Sequence, residues 1–127
     1  MVLPILFIAP SLKGGRGVFA DADIKRGTII EISPVLVLSG TERKIAETTR
    51  LYNYIFTWGK SKKQGAIGLG YISMYNHDYN ANCNYEMDFV YETMTIITVK
   101  NIKKGDELYI NYNGEPNDTT KIWFDAK

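Results

Sequence analysis

Two consecutive runs of β-type residues, NYEMDFVYE at 84–92 and TMTIITVK at 93–100, constrain the fold of this chain more than any other feature. In the first run, apolar side chains alternate with polar ones, which is the two-residue period of a strand with one apolar face. The second run follows without a break, so the chain must reverse direction between them. We therefore predict a β-hairpin that turns near Glu92 and Thr93.

Most of the remaining chain is also typical of strands. The run TIIEISPVLVL at 28–38 is rich in β-branched residues, and the apolar start, MVLPILFIAP, predicts a first strand. One helix is expected at about residues 40–52, because Ser39 and Glu42 have capping-box spacing. The Gly- and Lys-rich stretch TWGKSKKQGAIGLG at 57–70 is typical of a surface loop that leads into a short strand. Since no linker divides the 127 residues, the sequence predicts a single mainly β domain with one or two short helices.

A faint repeat is visible when VFADADIKRGTII at 18–30 is set beside ITVKNIKKGDELYI at 97–110. Both segments run from a β stretch through Ile-Lys-(Arg/Lys)-Gly into another β stretch. Gly27 and Gly105 are well placed for a positive φ in a turn. The pattern indicates either a repeated structural unit or two turns that resemble each other by chance.

Composition excludes several classes of protein. Fifteen basic against 14 acidic residues give a net charge of +1, which is not the footprint of a nucleic-acid-binding domain. One cysteine and one histidine form neither an intramolecular disulfide nor a Cys/His zinc set. No apolar run approaches the roughly 20 residues of a membrane span. A cytoplasmic location is therefore expected, or a nuclear one if the protein acts on chromatin.

Three segments carry the functional signal: KGGRGVFA at 13–20, YNHDYNANC at 75–83 and KKGDELYINYNGE at 103–115. Each is weak alone; the first, for example, lacks the third glycine of a dinucleotide fingerprint. In this order and spacing they resemble the SET-domain protein lysine methyltransferases, over about residues 5–124. The resemblance implies a β-clip-like SET fold of several small sheets with a C-terminal pseudoknot.

The resemblance also implies a domain organisation and a cofactor. The whole chain, 1–127, would be a single SET domain with a variable inserted region at about 39–65 and a C-terminal lid at about 113–127. The methyl donor would be S-adenosylmethionine, and no metal is expected. Many family members build the lid from a cysteine-rich, zinc-binding segment. This chain lacks those cysteines, so Trp123 and Phe124 would form the lid by apolar packing; the alternative is an aromatic pair docked on the core.

Residues of all three segments would bind the donor. Backbone groups of the Gly-Arg-Gly turn would hold its amino acid portion, with Arg16 available for the carboxylate; the alternative for Arg16 is a solvated turn residue. Asn76 would bond the same portion through its side chain, unless it only shapes a turn. His77 would contact the adenine mainly through its backbone, so its imidazole is expected to be replaceable if the loop keeps its shape. The expected donor-binding residues are Gly15, Arg16, Gly17, Tyr75, Asn76, His77, Tyr112 and Trp123.

Tyr112 matches the tyrosine of the family's closing motif and is expected to be the main catalytic residue, with Tyr54 and Tyr85 beside it in the lysine channel. Methyl transfer needs a lone pair on the lysine nitrogen, but a free lysine with a pKa of about 10.4 is only about 0.04% neutral at pH 7. A dry channel beside a positive sulfonium disfavours the ammonium form, and a tyrosine hydroxyl can orient the neutral amine. No dedicated base is then required. Because the chain has nine tyrosines, packing in the core is the alternative for each of the three.

The expected partner is a protein or peptide with a lysine, with a histone-like protein as one option, and neither direct nucleic-acid binding nor a membrane is expected. Glu86, Asp88 and Glu92 either attract a basic peptide or form an ordinary solvated face. A homodimer that completes each substrate groove is a further alternative. Two rival functions stay open: a non-enzymatic β-clip module that binds a carbohydrate or protein, and a SET domain that binds the donor without transfer. The sequence does not predict the degree of methylation.

Overall fold

The computed structural model describes residues 1–112. Within that range the chain forms nine strands, one α-helix and two 3₁₀ turns. The elements are β1 (Leu6–Pro10), β2 (Arg16–Ala20), β3 (Ile29–Leu38), α1 (Gly40–Ala46), a 3₁₀ turn (Arg50–Tyr54), β4 (Ile55–Trp58), β5 (Gln64–Gly68), a second 3₁₀ turn (Ile72–Met74), β6 (Asn76–His77), β7 (Cys83–Asp88), β8 (Thr93–Thr98) and β9 (Glu107–Ile110). The expected mainly β fold with several sheets and a short helix is confirmed. No helix among these residues is long and apolar enough to cross a membrane.

The strands form two sheets. A four-stranded sheet has the order β1-β2-β9-β6, and a five-stranded sheet has the order β4-β5-β3-β8-β7. Only β6 and β9 pair in parallel, and every other named pair is antiparallel. The core contains residues of both sheets: Val18 and Leu108 from the first and Ile30, Met94 and Ile96 from the second are fully buried.

The predicted hairpin is formed by β7 and β8, but it turns earlier than expected. The first strand ends at Asp88, and the turn occupies residues 89–92 instead of lying near Glu92 and Thr93. Asp88 Oδ1 accepts hydrogen bonds from the backbone N–H groups of Val90 (3.0 Å) and Tyr91 (2.9 Å). A side chain that captures two backbone donors in this way starts a turn, and it overrides the alternation of the sequence beyond Asp88.

The predicted helix begins where expected but is shorter. Ser39 and Glu42 form both bonds of the capping box, whereas the helix ends at Ala46 and not near residue 52. The Thr48 and Thr49 hydroxyls donate to the carbonyls of residues 45 and 46, and the Thr49 hydroxyl also caps the following 3₁₀ turn. Because α1 buries no residue, no tertiary packing extends the helix past these competing bonds.

The Gly- and Lys-rich stretch is more regular than predicted. Strands β4 and β5 pair from Ile55 to Trp58, and only residues 59–63 form the connecting turn. Arg43 of α1 spans this hairpin, with guanidinium bonds to the carbonyls of Lys62 (3.2 Å) and Gln64 (3.0 Å). The sequence showed the glycines and lysines of the turn but not the strands on either side of it.

The faint repeat has a structural basis. Ile24 and Ile102 form an isolated antiparallel bridge between the two turns, with reciprocal backbone bonds of 2.9 and 2.8 Å. Gly27 and Gly105 both have positive φ, 84° and 94°. Two further pairs of hydrogen bonds are equivalent in the two segments. The Gly27 N–H donates to the Thr98 carbonyl, as the Gly105 N–H does to the Ala20 carbonyl. The Arg26 N–H donates to Asn101 Oδ1, as the Lys104 N–H does to Asp23 Oδ1. The two segments are therefore equivalent structural units that are hydrogen-bonded to each other, and the chance interpretation is wrong.

Strand β9 lies beside the segment around residues 76–82, and a side chain holds the two together. Asn82 Nδ2 donates to the Glu107 carbonyl (2.9 Å), and the Tyr109 N–H donates to Asn82 Oδ1 (2.8 Å). One amide thus satisfies two backbone groups of β9. The described residues end at Tyr112, so the expected pseudoknot threading and the expected lid at about 113–127 lie outside them.

We expect Asn82→Ala to destabilise the fold by about 2 kcal/mol, because it leaves two partly buried backbone groups of β9 without their partners. Urea unfolding followed by circular dichroism measures this change. Asn80→Ala is the matched control: Asn80 is exposed and its side chain accepts a surface bond from Lys100, so its loss should cost less than about 1 kcal/mol. Equal losses in the two variants would contradict the role of Asn82 in holding β9 beside residues 76–82.

Candidate functional site

The Gly-Arg-Gly turn lies against Asn76 in the folded chain. Gly17 is buried, and a Cβ atom there would collide with the Glu107 carboxylate and lie 2.9 Å from Asn76 Nδ2. Gly15 has a φ of 59°, and a Cβ there would meet nothing within 4 Å. Arg16 is exposed. Gly17 therefore allows two polar side chains to lie directly on the backbone, while the space around Gly15 is open.

Asn76, in the second of the three motif segments, is hydrogen-bonded to the first segment. Its Nδ2 donates to the Arg16 carbonyl (3.2 Å) and to Glu107 Oε2 (2.9 Å). Across the loop, Lys13 Nζ lies 2.9 Å from Asp78 Oδ2 and 5.2 Å from the centre of the Tyr109 ring. The Gly-rich turn, the Asn-His loop and β9 therefore share one surface, although they are far apart in sequence.

The ring of Tyr75 is buried and does not face a ligand site. Only 1% of its surface is exposed, and its hydroxyl donates to Glu31 Oε1 (2.8 Å). Burial, followed by the Glu31 charge, raises the Tyr75 pKa well above its usual value. Only the backbone of Tyr75 can therefore face a donor.

Glu31 is a buried carboxyl group that the sequence analysis did not identify. Besides the Tyr75 hydroxyl, it accepts the Ser33 hydroxyl (2.7 Å) and the Tyr71 N–H (2.8 Å). Both oxygens of the carboxyl group are thus used, which offsets the cost of burying it. The alternation of β3 gave no signal, because a glutamate there is ordinarily read as solvent-facing.

The Tyr112 side chain reaches back to the same segment. Its hydroxyl donates to the Tyr75 carbonyl at 2.7 Å. Burial raises the Tyr112 pKa well above that of a free tyrosine, and the neighbouring hydroxyls of Tyr54 and Tyr85 raise it further. The hydroxyl is therefore neutral at physiological pH, and its proton is directed at a backbone carbonyl.

His77 uses its imidazole, not only its backbone. Nδ1 accepts the Tyr112 N–H at 3.0 Å, so in the neutral ring the proton is on Nε2. The ring is 4% exposed, and Nε2 has no hydrogen-bond partner among the described residues. Burial is the main cause that lowers the His77 pKa, with a further contribution from Lys13, while Asp78 opposes it. The imidazole therefore fixes the backbone at Tyr112 as a neutral acceptor.

An aromatic cleft lies beside the Tyr112 hydroxyl. It is an open cleft of about 200 Å³, a volume that includes adjoining solvent, and it is lined by Asn53, Tyr54, Ile55, Phe56, Ser73 and Tyr112. The Phe56 ring packs against both Tyr112, at 6.2 Å between centroids, and Tyr85, at 5.6 Å. The Tyr85 hydroxyl donates to the Tyr112 carbonyl at 3.3 Å.

The structure thus brings most of the predicted site residues together. Tyr85 and Tyr112 pack against Phe56, and Tyr54 lines the same cleft. The Gly-Arg-Gly turn is hydrogen-bonded to Asn76. Trp123 lies outside the described residues. Besides Glu31, neither Phe56 nor Glu107 was predicted. Glu107 lies in the third motif segment, and a β-strand pattern through YNYIFTW at 52–58 would have indicated that Phe56 points inward. Within residues 1–112, no group of three or more metal-ligating side chains comes together.

Comparison with known proteins places this fold and site in a family. A model of the SET domain matches residues 15–113. A histone-lysine N-methyltransferase of Schizosaccharomyces pombe, named as specific for H3 lysine-37, is 36% identical over 121 residues, which are 94% of this chain and 77% of that protein. The chain therefore belongs to the SET-domain family, and the resemblance stated from its motifs is confirmed.

Solved structures agree with this assignment. A Plasmodium falciparum protein described as a candidate histone methyltransferase is 30% identical, with a TM-score of 0.67, covering 87% of this chain and 98% of its own. A chain of Chaetomium thermophilum Polycomb Repressive Complex 2 shares the fold with a TM-score of 0.75 at 23% identity, covering 92% of this chain and 16% of that chain.

We expect the pKa of His77 to lie below the ordinary value of about 6.5. As the only histidine, it gives a single imidazole signal whose pH titration by NMR measures this pKa directly. Because the folded-state pKa is lowered, the stability that His77 contributes is complete above about pH 6.5 and is lost as the pH falls toward the folded-state pKa.

The unfolding free energy should therefore decline more steeply below pH 6.5 in the wild-type protein than in His77→Gln, which cannot be protonated there. Urea unfolding at a series of pH values makes the comparison. A titration at or above 6.5, or parallel pH profiles for the two proteins, would contradict a buried neutral imidazole.

Proposed function

We propose that this chain transfers a methyl group from S-adenosylmethionine to the ε-amine of a lysine in a protein substrate. The observation that carries the proposal is the hydrogen bond between the Tyr112 hydroxyl and the Tyr75 carbonyl. It joins the aromatic cleft to the residue that directly precedes Asn76. A site for a lysine stem and a site for a polar donor thus meet at one place.

The class of enzyme expected from the sequence is a protein-lysine methyltransferase, and it is confirmed by the family and by the 36% identical relative. The individual roles of the residues are proposals. They rest on the chemistry of each side chain and on the contacts described above.

The Gly-Arg-Gly turn and Asn76 fit the donor's amino acid portion. That portion carries an ammonium and a carboxylate, which need an acceptor and a cation, respectively. Both amide hydrogens of Asn76 are directed to Arg16 and Glu107, so Oδ1 is the end of the amide that can accept from the ammonium. Arg16 is exposed and carries the required positive charge. The open space at Gly15 lets a ligand approach the backbone.

When bound, the donor supplies an electrophilic methyl group on a positively charged sulfur. The cleft residues then have to admit the lysine stem and keep its nitrogen neutral. Tyr54 and Phe56 provide apolar walls for the stem, and Tyr85 supports them by packing against Phe56. An apolar environment disfavours the ammonium form, and each unit by which the lysine pKa falls corresponds to about 1.36 kcal/mol.

Tyr112 would act as a neutral hydroxyl and not as a base. Its raised pKa keeps the proton on the oxygen, and the bond to the Tyr75 carbonyl fixes the direction of that proton. In the proposal, the same oxygen would accept from the amine or interact with the polarised methyl group. A phenolate would instead stabilise the ammonium and hold the lysine protonated.

A histone is the protein substrate we propose, because the Schizosaccharomyces pombe relative is named for a lysine of histone H3. Histone tails are basic, and Glu86 and Asp88 are exposed on the edge strand β7, with Glu92 in the adjoining turn. Action on a histone would place the protein in the nucleus, which is the location expected from the sequence for a protein that acts on chromatin. The lid at about 113–127, the inserted region at about 39–65 and a homodimer stay predictions, as does the absence of direct nucleic-acid contact.

Replacement of Tyr112 tests the proposed catalysis. We expect Tyr112→Phe to bind S-adenosylmethionine within about twofold of the wild-type Kd but to lose about 100-fold or more in turnover, because only the hydroxyl is removed. Calorimetry measures the first quantity, and a labelled-methyl assay on histones and basic peptides measures the second. Tyr91→Phe is the control, since Tyr91 is 79% exposed in the β7–β8 turn.

Asn76→Ala should give the reverse result in the calorimeter, with a Kd raised about tenfold, because the ammonium loses its acceptor. Near-normal turnover in Tyr112→Phe would refute its role. Absence of donor binding to the wild-type protein would favour the β-clip binding module, and binding without methyl transfer to any protein would favour a SET domain that has lost catalysis.

A further inference from the structure

Glu107 is a buried carboxylate that accepts three side-chain hydrogen bonds. Oε1 accepts from the Ser11 hydroxyl (2.7 Å) and the Tyr109 hydroxyl (3.2 Å), and Oε2 accepts from Asn76 Nδ2 (2.9 Å). Burial and the Glu107 charge raise the pKa of Tyr109 to about 12, so its hydroxyl stays a donor. Ser11, Tyr109 and Asn76 come from three different parts of the chain and converge on this one group.

The contacts of Glu107 determine which end of the Asn76 amide faces outward. The two hydrogens on Nδ2 are directed to the Glu107 carboxylate and to the Arg16 carbonyl, and both partners are acceptors only. The reversed amide would set Oδ1 against these two oxygens and lose both bonds. Gly17 packs against Nδ2 and the carboxylate, with no room for a Cβ, so the two side chains lie directly on the backbone there.

We propose that Glu107 is a positioning residue that fixes the Asn76 amide so that Oδ1, an acceptor, is presented to the ammonium group of the donor's amino acid portion. An ammonium group has three donors and no acceptor, so it binds the oxygen end of an amide and is repelled by the NH₂ end. This inference rests on the proposed function. It adds that specificity for the amino acid portion is set by a residue that does not touch the donor.

A Glu107→Gln variant tests the inference because it introduces an NH₂ group of its own. The new amide cannot accept from Ser11, Tyr109 and Asn76 together. If its NH₂ group faces Asn76, the Asn76 amide has to reverse and present NH₂ to the donor. If it faces Ser11 and Tyr109, both hydroxyls have to accept from it and their own protons lose the acceptor that Glu107 supplied. The orientation toward Asn76 keeps both of these hydroxyl bonds and is therefore favoured.

Three ligands separate this effect from general damage. S-adenosylmethionine and S-adenosylhomocysteine both carry the amino acid portion, whereas 5′-methylthioadenosine lacks it. We expect Glu107→Gln to raise the calorimetric Kd of the first two by the same factor, about tenfold or more. The Kd of 5′-methylthioadenosine should stay within about twofold. Asp21→Asn, with the same change of charge at an exposed position, should leave all three values unchanged.

Other results would overturn the inference. Equal weakening of all three ligands would indicate a purely structural role for Glu107. Weakening of S-adenosylmethionine alone would indicate attraction between the carboxylate and the sulfonium charge. No change in any Kd would show that Glu107 does not position Asn76. Failure of the wild-type protein to bind S-adenosylmethionine would instead refute the proposed function, so the two failures are distinguishable.

If Glu107→Gln does not fold, the wild-type protein provides a second measurement. With S-adenosylhomocysteine bound, the Asn76 side-chain NH₂ protons should show NOE contacts to the Hα protons of Gly17, since Nδ2 packs against that residue. Loss of these contacts on ligand binding would show that the amide turns its NH₂ end toward the ligand and would overturn the inference.

Discussion

The site depends on the position of β9 between β2 and β6. Only this arrangement brings Tyr112 beside residues 75–77, which precede it by about 35 positions in the sequence. The parallel pairing with β6 is only two residues long, so backbone bonds alone hold β9 and β6 together weakly. The Asn82 amide and the His77 imidazole supply the missing bonds. Side chains of the Asn-His loop are therefore structural ties as well as candidates for ligand contact.

Three buried polar side chains position the groups that we assign to function. Glu31 holds the segment that carries the Tyr75 carbonyl, His77 fixes the backbone of Tyr112, and Glu107 orients Asn76. Each would be costly to bury without its partners, and each is bonded across at least 31 positions of the chain. A network of this kind favours a single arrangement of the site, so little reorganisation is needed when a ligand binds.

The sequence predicted those structural features that depend only on residues close together in the chain. The capping box at Ser39 and the positive φ of Gly27 and Gly105 were read correctly, and the order of the three motifs identified the family. The end of α1 and the turn after Asp88 were missed, because side-chain bonds to the backbone compete there with the regular pattern. The partners of Glu31, His77 and Glu107 could not be predicted, since each depends on which distant segment the fold brings near.

The central claim is that the donor and Tyr112 occupy one site on the two sides of the Tyr75–Asn76 peptide. The most direct measurement uses S-adenosylmethionine carrying a ¹³C-labelled methyl group, bound to the wild-type protein in the NMR tube. The account predicts NOE contacts between the methyl protons and the ring protons of Tyr112. Saturable donor binding with methyl contacts confined to residues remote from Tyr112 would contradict it.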